Sequence, residues 1–251
     1  MRLPLSRAIA PDLDLLDETE STNAVLVERA RAGAEPEFSV VVTTNQTAGR
    51  GRLGRTWVAP PGRTIAVSVL LTPAGTDRIG WLPLLAGLAM SRAVGALVSD
   101  HEVTLKWPND VQVDGLKVSG LLAELVPGVG VVIGAGLNLT MDADELPTPV
   151  STSLTLVGAD AEGIVDRALA AYLRQLRNLY DAWAAGADIR AEVSEGCSTI
   201  GRRVRVELPG GEDLYGTATG IDAEGRLVVE GPGIDGRRAV AAGDVTHLRY
   251  A

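Results

Sequence analysis

The spacing of apolar and polar residues predicts helices and strands along the first 185 residues of the chain. Capping residues and helical spacing predict three helices, from Ser21-Thr22-Asn23 to Gly33, from Pro83 to about Val98, and over 160–185. Apolar, β-branched runs predict strands over 38–44, 64–71, 103–107, 111–113, 117–125 and 129–139. Between them, loops are predicted over 45–63 and from 140 to about 153.

The pattern changes at about Thr199, where the predicted strands become short and glycine-rich turns separate them. The short segments cover 203–208, 214–221, 226–230 and 237–240. So many short strands in so little chain indicate a small β-barrel. We therefore expect two domains, 1–198 and 199–251.

Composition excludes several classes of protein. With 251 residues, 46% hydrophobic and 22% charged, the chain has enough apolar material for one large core and a small second one. The longest apolar stretch, 82–98, is interrupted by Pro83 and Arg92, so no membrane span is expected, and the first residues lack the apolar core of a secretory signal. A single cysteine, Cys197, fits a reducing compartment, and we expect a cytoplasmic protein.

The charged residues of the chain argue against one class of protein and single out two lysines. The net charge of −9 disfavours a protein that coats nucleic acid, since phosphate binding depends on clustered cations. Of 23 cationic residues only two, Lys106 and Lys117, are lysines. They are candidates for positions that need a compact ammonium group, although a coding bias toward arginine would give the same count.

The segment 46–57 carries three glycines, Gly49, Gly51 and Gly54, with the spacing of a dinucleotide-binding motif, and three arginines, Arg50, Arg52 and Arg55. No apolar helix follows it, and no acidic residue lies about 20 positions on to hold a ribose. A phosphate-binding loop of the Lys-Ser/Thr type is also excluded. The segment is either a mobile loop that closes around an anion or a solvated glycine-rich hairpin.

A second polar segment, Lys106-Trp-Pro-Asn-Asp110, lies where a predicted strand enters a turn fixed by Pro108. Asn109 and Asp110 can hydrogen-bond across the turn, which is the simpler interpretation for Asn109. Lys117 follows on the returning strand, and Gly120 leaves room for a ligand or another chain. Asn138, at the end of a later strand, is equally well explained as a strand terminus or as a contact.

Taken together, these segments resemble one family. STN (21–23), NQTAGRGRLGRTW (45–57), KWPNDV (106–111), GLKVSGLLAEL (115–125) and VVIGAGLNL (131–139) are similar to the biotin protein ligases, which attach biotin to carboxylases, and GIDAEGRLVV (220–229) resembles their C-terminal module. The resemblance implies an α+β fold, a mixed sheet with flanking helices as in class II aminoacyl-tRNA synthetases and biotin–lipoate ligases, plus a small SH3-like β-barrel. It also implies the shorter family form, without an N-terminal DNA-binding domain.

The resemblance further implies a two-step reaction. Biotin and ATP, with Mg²⁺, form biotinyl-5′-AMP and pyrophosphate, and a lysine of a carboxylase's biotin carboxyl carrier domain then takes the biotin. Matched positions assign catalysis to Lys106, Arg50 and Arg52, biotin binding to Ser21, Thr22, Asn23, Gln46, Gly49, Arg50, Lys106, Lys117 and Gly120, and ATP or adenylate binding to Arg52, Arg55, Trp57, Asn109, Asn138 and Arg249. The bulk of Trp57 and Trp107 also suits packing at the base of each segment. By analogy, the loop 140–153 is expected to order over the adenylate.

Two alternatives stay open. A lipoate-protein ligase shares the fold and the adenylate route, although STN together with KWPND favours biotin. A nucleic-acid-binding regulator would use the GRGR segment as an arginine-rich arm, which the acidic balance of the chain opposes. We expect a monomer or a weak homodimer that binds neither DNA nor membranes.

Overall fold

A computed structural model describes residues 1–33, 35–231 and 236–248 of the chain. Its largest element is a seven-stranded mixed sheet with the order β1-β2-β5-β9-β8-β7-β6. The strands are β1 (Asp14–Leu16), β2 (Val40–Thr43), β5 (Thr64–Leu71), β6 (Val103–Lys106), β7 (Asp110–Val113), β8 (Leu116–Val126) and β9 (Gly130–Asn138). β1 runs parallel to β2, whereas the other neighbours are antiparallel. Six of the seven strands were predicted, and only the three-residue β1 was too short for its pattern to be read.

The two faces of the sheet are covered differently. Alternate residues of a strand point to opposite faces. Val40, Val42, Val69 and Ile133 belong to the main core, which includes the helices α3 (Leu82–Gly95) and α4 (Ile164–Ala184). Their neighbours Val41, Leu70 and Val132 form a smaller cluster with the helix α2 (Thr22–Arg31). The α2 face is therefore only partly covered, which leaves room for a cavity.

All three predicted helices are present, but one prediction was wrong at its beginning. α4 begins at Ile164 and not at 160, because Gly163 has φ +59° and the Asp160 carboxylate accepts a bond from Glu162 N (3.0 Å) in a turn before it. α2 begins as predicted, since the Ser21 hydroxyl accepts a hydrogen bond from Ala24 N. Two short helices, α1 (Pro4–Arg7) and α5 (Arg190–Glu195), were not predicted.

The segment predicted as a loop over 45–63 contains a small hairpin. β3 (Gly49–Arg50) pairs with β4 (Thr56–Trp57), and the 3₁₀ turn Arg52–Gly54 joins them. Leu53 lies in this turn with φ +55° and is 65% exposed. The turn thus places Arg52 at the tip of the hairpin, with Arg50 in the strand before it and Arg55 directly after it.

The C-terminal part forms a separate five-stranded antiparallel sheet. Its strands are β10 (Arg203–Glu207), β11 (Asp213–Ile221), β12 (Leu227–Glu230), β13 (Arg237–Val240) and β14 (Asp244–His247), in the order β13-β12-β11-β10-β14. Within the ranges described, no pairing joins β13 to β14, so the sheet has the strand content of a small SH3-like barrel without closing. The predicted α+β class, a mixed sheet plus a small β module, is confirmed.

The two parts share one core. Val204 and Leu227 of the small sheet belong to the same buried cluster as Leu85 and Ile133 of the large one. The indole Nε1 of Trp81 also donates to Ala223 O across the junction, at 2.8 Å. Among the residues described, none of the helices combines the length and apolar character needed to cross a bilayer.

Candidate functional site

A polar cavity of about 360 Å³ opens on the α2 face of the large sheet. Its floor is formed by small residues of the central strands, including Ala66, Gly120, Gly134 and Gly136. Gly136 provides space that a side chain would fill, since an added Cβ would lie within about 2.7 Å of the Trp57 indole. The hairpin 49–57, the turn after β6 and residues of β14 form the walls.

One end of the cavity holds neutral polar groups. Thr22 N donates to Gln46 Oε1 at 3.0 Å, and Ser68 Oγ lies 2.8 Å from Thr22 Oγ1 and 2.6 Å from Asn23 Oδ1. Asn23 Nδ2 in turn donates to Glu124 Oε1 at 2.8 Å. The network fixes hydroxyl and amide groups beside the cavity without adding a cation.

Ser68 and Glu124 were missed in the sequence analysis. Ser68 does have a signal, because it is the polar residue within an otherwise apolar run, 65–71, of a fully buried strand. A buried hydroxyl needs a partner, so its position indicates a polar neighbour on that face. Glu124 lies 101 residues from Asn23 in sequence and has no comparable signal.

The other end of the cavity is charged. Lys117 Nζ lies 2.6 Å from Asp110 Oδ1, and Lys106 lines the same wall. Burial lowers the pKa of Lys106, and the neighbouring Asp110 opposes that shift. Lys106 and Lys117 are 11 positions apart in sequence, and they come together in space because β7 and β8 fold back on β6.

The arginines of the hairpin differ in their surroundings. Arg50 is exposed, whereas Arg52 Nη1 donates to Asn109 Oδ1 and to Gly243 O, each at 3.2 Å. Arg52 also lies 3.6 Å from Asp244 Oδ1, and Arg55 pairs with the same carboxylate. Burial lowers the pKa of Arg52, and the nearby Asp244 offsets only part of that shift. A carboxylate of the small sheet thus holds the tip of the hairpin.

Trp57 lies on the floor of the cavity. Lys117 Nζ is 5.9 Å from the centroid of its ring, within the range of a cation–π contact. Its Nε1 is buried and finds no acceptor in the part of the chain that is described. Trp57 packs on the floor and also lines the cavity, a position that suits both the packing and the adenylate-contact predictions. Trp107 is 2% exposed, which agrees with the packing interpretation.

Most of the predicted site residues line this one cavity. They are Ser21, Thr22, Asn23, Gln46, Arg50, Arg52, Arg55, Trp57, Lys106, Asn109, Lys117 and Gly120. Gly49 and Asn138 do not line it. Gly49 is part of the hairpin, where it pairs with Trp57 and packs closely against Gln46. Asn138 is 2% exposed and donates to Thr152 O at 2.9 Å. Arg249 lies outside the described residues.

Comparison with known proteins identifies the family. The family model described as biotin/lipoate A/B protein ligase matches residues 15–138, and that of the biotin protein ligase C-terminal domain matches 199–248. A biotin–acetyl-CoA-carboxylase ligase of Mycobacterium tuberculosis is 42% identical, over 94% of this chain and 89% of its own length. The chain belongs to the biotin protein ligase family.

Solved structures of biotin protein ligases are similar over nearly the whole chain. The Aquifex aeolicus biotin protein ligase in complex with biotin and ATP aligns with a TM-score of 0.76 and 26% identity, covering 95% of this chain and 99% of that one. A Leishmania major biotin protein ligase in complex with biotinyl-5-AMP aligns with a TM-score of 0.60 and 28% identity, covering 96% and 99%. These two biotin protein ligases thus share the fold over nearly the whole of this chain.

Proposed function

We propose that the cavity binds biotin and ATP, forms biotinyl-5′-AMP, and passes the biotin to a lysine of a carrier protein. The activity is that of a biotin protein ligase, an ATP-dependent, AMP-forming enzyme. The observation that carries the proposal is that one cavity has uncharged amide and hydroxyl groups at one end, where Asn23 lies over Gly134, and cations further along, where Lys117 lies over Gly120, the strand partner of Gly136. Biotin has the same division, with a neutral ureido ring at one end and a carboxylate at the other.

The neutral end suits the ureido ring. Ser21, Thr22, Asn23 and Gln46 offer hydroxyl and amide groups, which both donate and accept, so the N–H groups and the carbonyl of the ring can be satisfied. Ser68 holds Thr22 and Asn23 in place, and Glu124 holds Asn23, through the bonds described above. Gly120 keeps the floor open between this end and the charged end, where Lys117 lies over it.

The cationic end suits the chemical step. The biotin carboxylate attacks the α-phosphorus of ATP, a new O–P bond forms, and pyrophosphate leaves with the electrons of the broken bond. Both reactants are anions, so fixed positive charge from Lys106, Arg50 and Arg52 stabilises the transition state. A carrier lysine, as the neutral amine, then attacks the carbonyl of the mixed anhydride, and AMP leaves. Arg55, Asn109, Asn138 and Arg249 are proposed contacts to the nucleotide.

Magnesium is expected to enter with ATP. Among the described residues, no three His, Cys, Asp or Glu side chains come together as a metal site, whereas Asp110 and Asp244 both line the cavity. Mg²⁺ is commonly held by one or two carboxylates together with substrate phosphates and water. Asp110 or Asp244 would serve in that mode by exchanging its present partner, Lys117 or the hairpin arginines, for the ion, which would supply charge neutralisation to the polyphosphate.

The physiological partner that we propose is a biotin carboxyl carrier domain of an acyl-CoA carboxylase. The M. tuberculosis relative is named for acetyl-CoA carboxylase, which supports this choice. We further propose a cytoplasmic monomer or weak homodimer without a DNA partner. Its catalytic domain would cover 1–198 and its SH3-like domain 199–251, a division supported by the change of strand length at about Thr199.

Pyrophosphate release from ATP tests the function directly. Biotin, lipoate and octanoate are offered in parallel to the full chain with Mg²⁺, and the released pyrophosphate is measured in a single turnover. We expect release with biotin, and transfer to a carrier domain when one is added. Release driven by lipoate or octanoate and not by biotin would assign the chain to the lipoate branch of the fold.

A further inference from the structure

The edge of the large sheet at β6 is covered by the segment that leads into the small sheet. An edge strand normally presents unpaired N–H and C=O groups. Here Leu105 N donates to Gly196 O at 2.8 Å, and Ser198 N donates to Leu105 O at 2.9 Å. The strand that ends at Lys106 is therefore held on its open side by the residues just before the small sheet.

The next contact crosses from the turn to Thr199. Trp107 N, one residue after Lys106, donates to Thr199 Oγ1 at 3.0 Å, and Thr199 Oγ1 lies 3.1 Å from His247 Nε2. Trp107 is 2% exposed and Thr199 is fully buried. A threonine hydroxyl has one proton, so after accepting from Trp107 it can donate to an unprotonated His247 Nε2.

The surroundings of His247 keep it in the required neutral form. Burial, followed by the charges of Lys106 and Arg202, lowers the pKa of His247 to about 4. The backbone of His247 is itself fixed, because it lies opposite Val204 in the pairing of β14 with β10. The acceptor of the Thr199 hydroxyl is thus a rigid part of the small sheet.

We propose that Thr199 and His247 are positioning residues, which hold the Lys106–Pro108 turn in the geometry for adenylate formation through the bond from Trp107 N. The inference rests on the proposed function, since it assigns Lys106 a part in that step. It gives the small sheet a role in the first half-reaction that requires no contact between these two residues and either substrate.

The test compares variants that remove or keep each hydrogen bond in the full chain. Thr199→Val removes the hydroxyl at nearly constant volume, and Thr199→Ser keeps it. His247→Leu removes the acceptor, whereas His247→Gln restores an amide oxygen at a similar reach. His101→Leu is the matched control, because His101 pairs with Asp114 at the opposite end of the β6–β7 hairpin.

Three readouts distinguish positioning from a purely structural role. Single-turnover adenylate formation at saturating biotin and ATP is expected to fall about 10- to 100-fold in Thr199→Val, since small displacements of reacting groups have effects of this size. The Kd for biotin is expected to rise by a smaller factor than the adenylation rate falls, because the groups proposed to hold the ureido ring are not touched and only the Lys106 contact is displaced. Hydrogen exchange of the peptide 103–110 is expected to accelerate in Thr199→Val and His247→Leu, and to stay parental in the other three variants.

Several results would overturn the inference. Parental adenylation in both Thr199→Val and His247→Leu would do so, as would unchanged exchange of 103–110, or equal losses in Thr199→Ser and Thr199→Val. If Thr199→Val does not fold, the His247→Leu and His247→Gln pair decides on the same readouts. A parent that releases no pyrophosphate with biotin refutes the proposed function instead, and the exchange comparison then still decides whether Thr199 holds the turn.

Discussion

Replacing Arg52 with alanine is expected to loosen the retention of biotinyl-5′-AMP far more than the binding of free biotin. Arg52 is the better held of the hairpin arginines that we assign to catalysis, since its guanidinium bonds to Asn109 and Gly243 and lies near Asp244. Arg50 is exposed by comparison. A guanidinium already fixed in this way loses little further conformational entropy when it binds a phosphate.

The magnitude follows from one charge-assisted hydrogen bond. Such a bond contributes about 1.5 to 3 kcal/mol, and each 1.4 kcal/mol is a factor of ten in affinity. Arg52→Ala should therefore speed the dissociation of the adenylate by about 10- to 150-fold. Free biotin lacks the phosphate, so its Kd should change by less than about threefold.

The assay follows release of preformed biotinyl-5′-AMP from the protein by chase with unlabelled ligand. Arg92→Ala is the control of equal charge change, because Arg92 pairs with Glu192 on the outside of α3, away from the cavity. Adenylate release from Arg52→Ala at the rate of the Arg92→Ala control would refute the role of this arginine. Equal weakening of free biotin would move Arg52 to the biotin carboxylate instead.

Three further predictions concern other parts of the molecule. Lys106→Arg should fold normally but slow single-turnover adenylation at least about tenfold, because a planar guanidinium cannot replace a compact ammonium group, and a rate within a few-fold of the parent would remove Lys106 from catalysis. The buried Asp166 carboxylate accepts hydrogen bonds from Leu5 N, Ser6 N and Ser6 Oγ. Asp166→Ala should therefore lower the free energy of unfolding, measured by urea titration, by about 1 to 3 kcal/mol without changing the adenylation rate. Folding lowers the pKa of His247 from 6.5 to about 4, so the stability that depends on neutral His247 is present above pH 6.5 and is lost as the pH falls toward 4. The free energy of unfolding of His247→Gln, measured in urea, should therefore depend less on pH over this range than that of the parent.

Local patterns were sufficient for most elements of the fold. Long β-branched runs such as 64–71 and 129–139 predicted β5 and β9, because burial on both faces leaves a continuous apolar run. The start of α4 was predicted too early, since Gly163 adopts a left-handed conformation that apolar spacing does not reveal. The order of the strands in the sheet depends on pairings between distant residues, and these have no local pattern.

In the candidate site, too, local motifs revealed some residues, whereas others became visible only in the structure. Lys106 and Arg52 were found from motifs, whereas Asp244 meets Arg52 across 192 positions of sequence. Thr199 likewise meets Trp107 across 92 positions. Nothing near Thr199 or Asp244 in sequence distinguishes either residue from an ordinary turn residue. The contributions of the small sheet to the cavity therefore became visible only in three dimensions.

The geometry bears on why the chain uses only two lysines. A coding bias toward arginine would leave its few lysines at unrelated places, but Lys106 and Lys117 line one cavity and flank the same carboxylate, Asp110. A Cβ added to Gly120 would lie 3.1 Å from Lys117 Nζ and 3.2 Å from the Trp57 ring, so the ammonium lies directly over the floor, and it is 2.6 Å from Asp110 Oδ1. Lys106 is close enough to feel the charge of the same carboxylate. Chance placement does not explain this convergence of the two lysines on one carboxylate of the cavity, which is the reason to test Lys106→Arg.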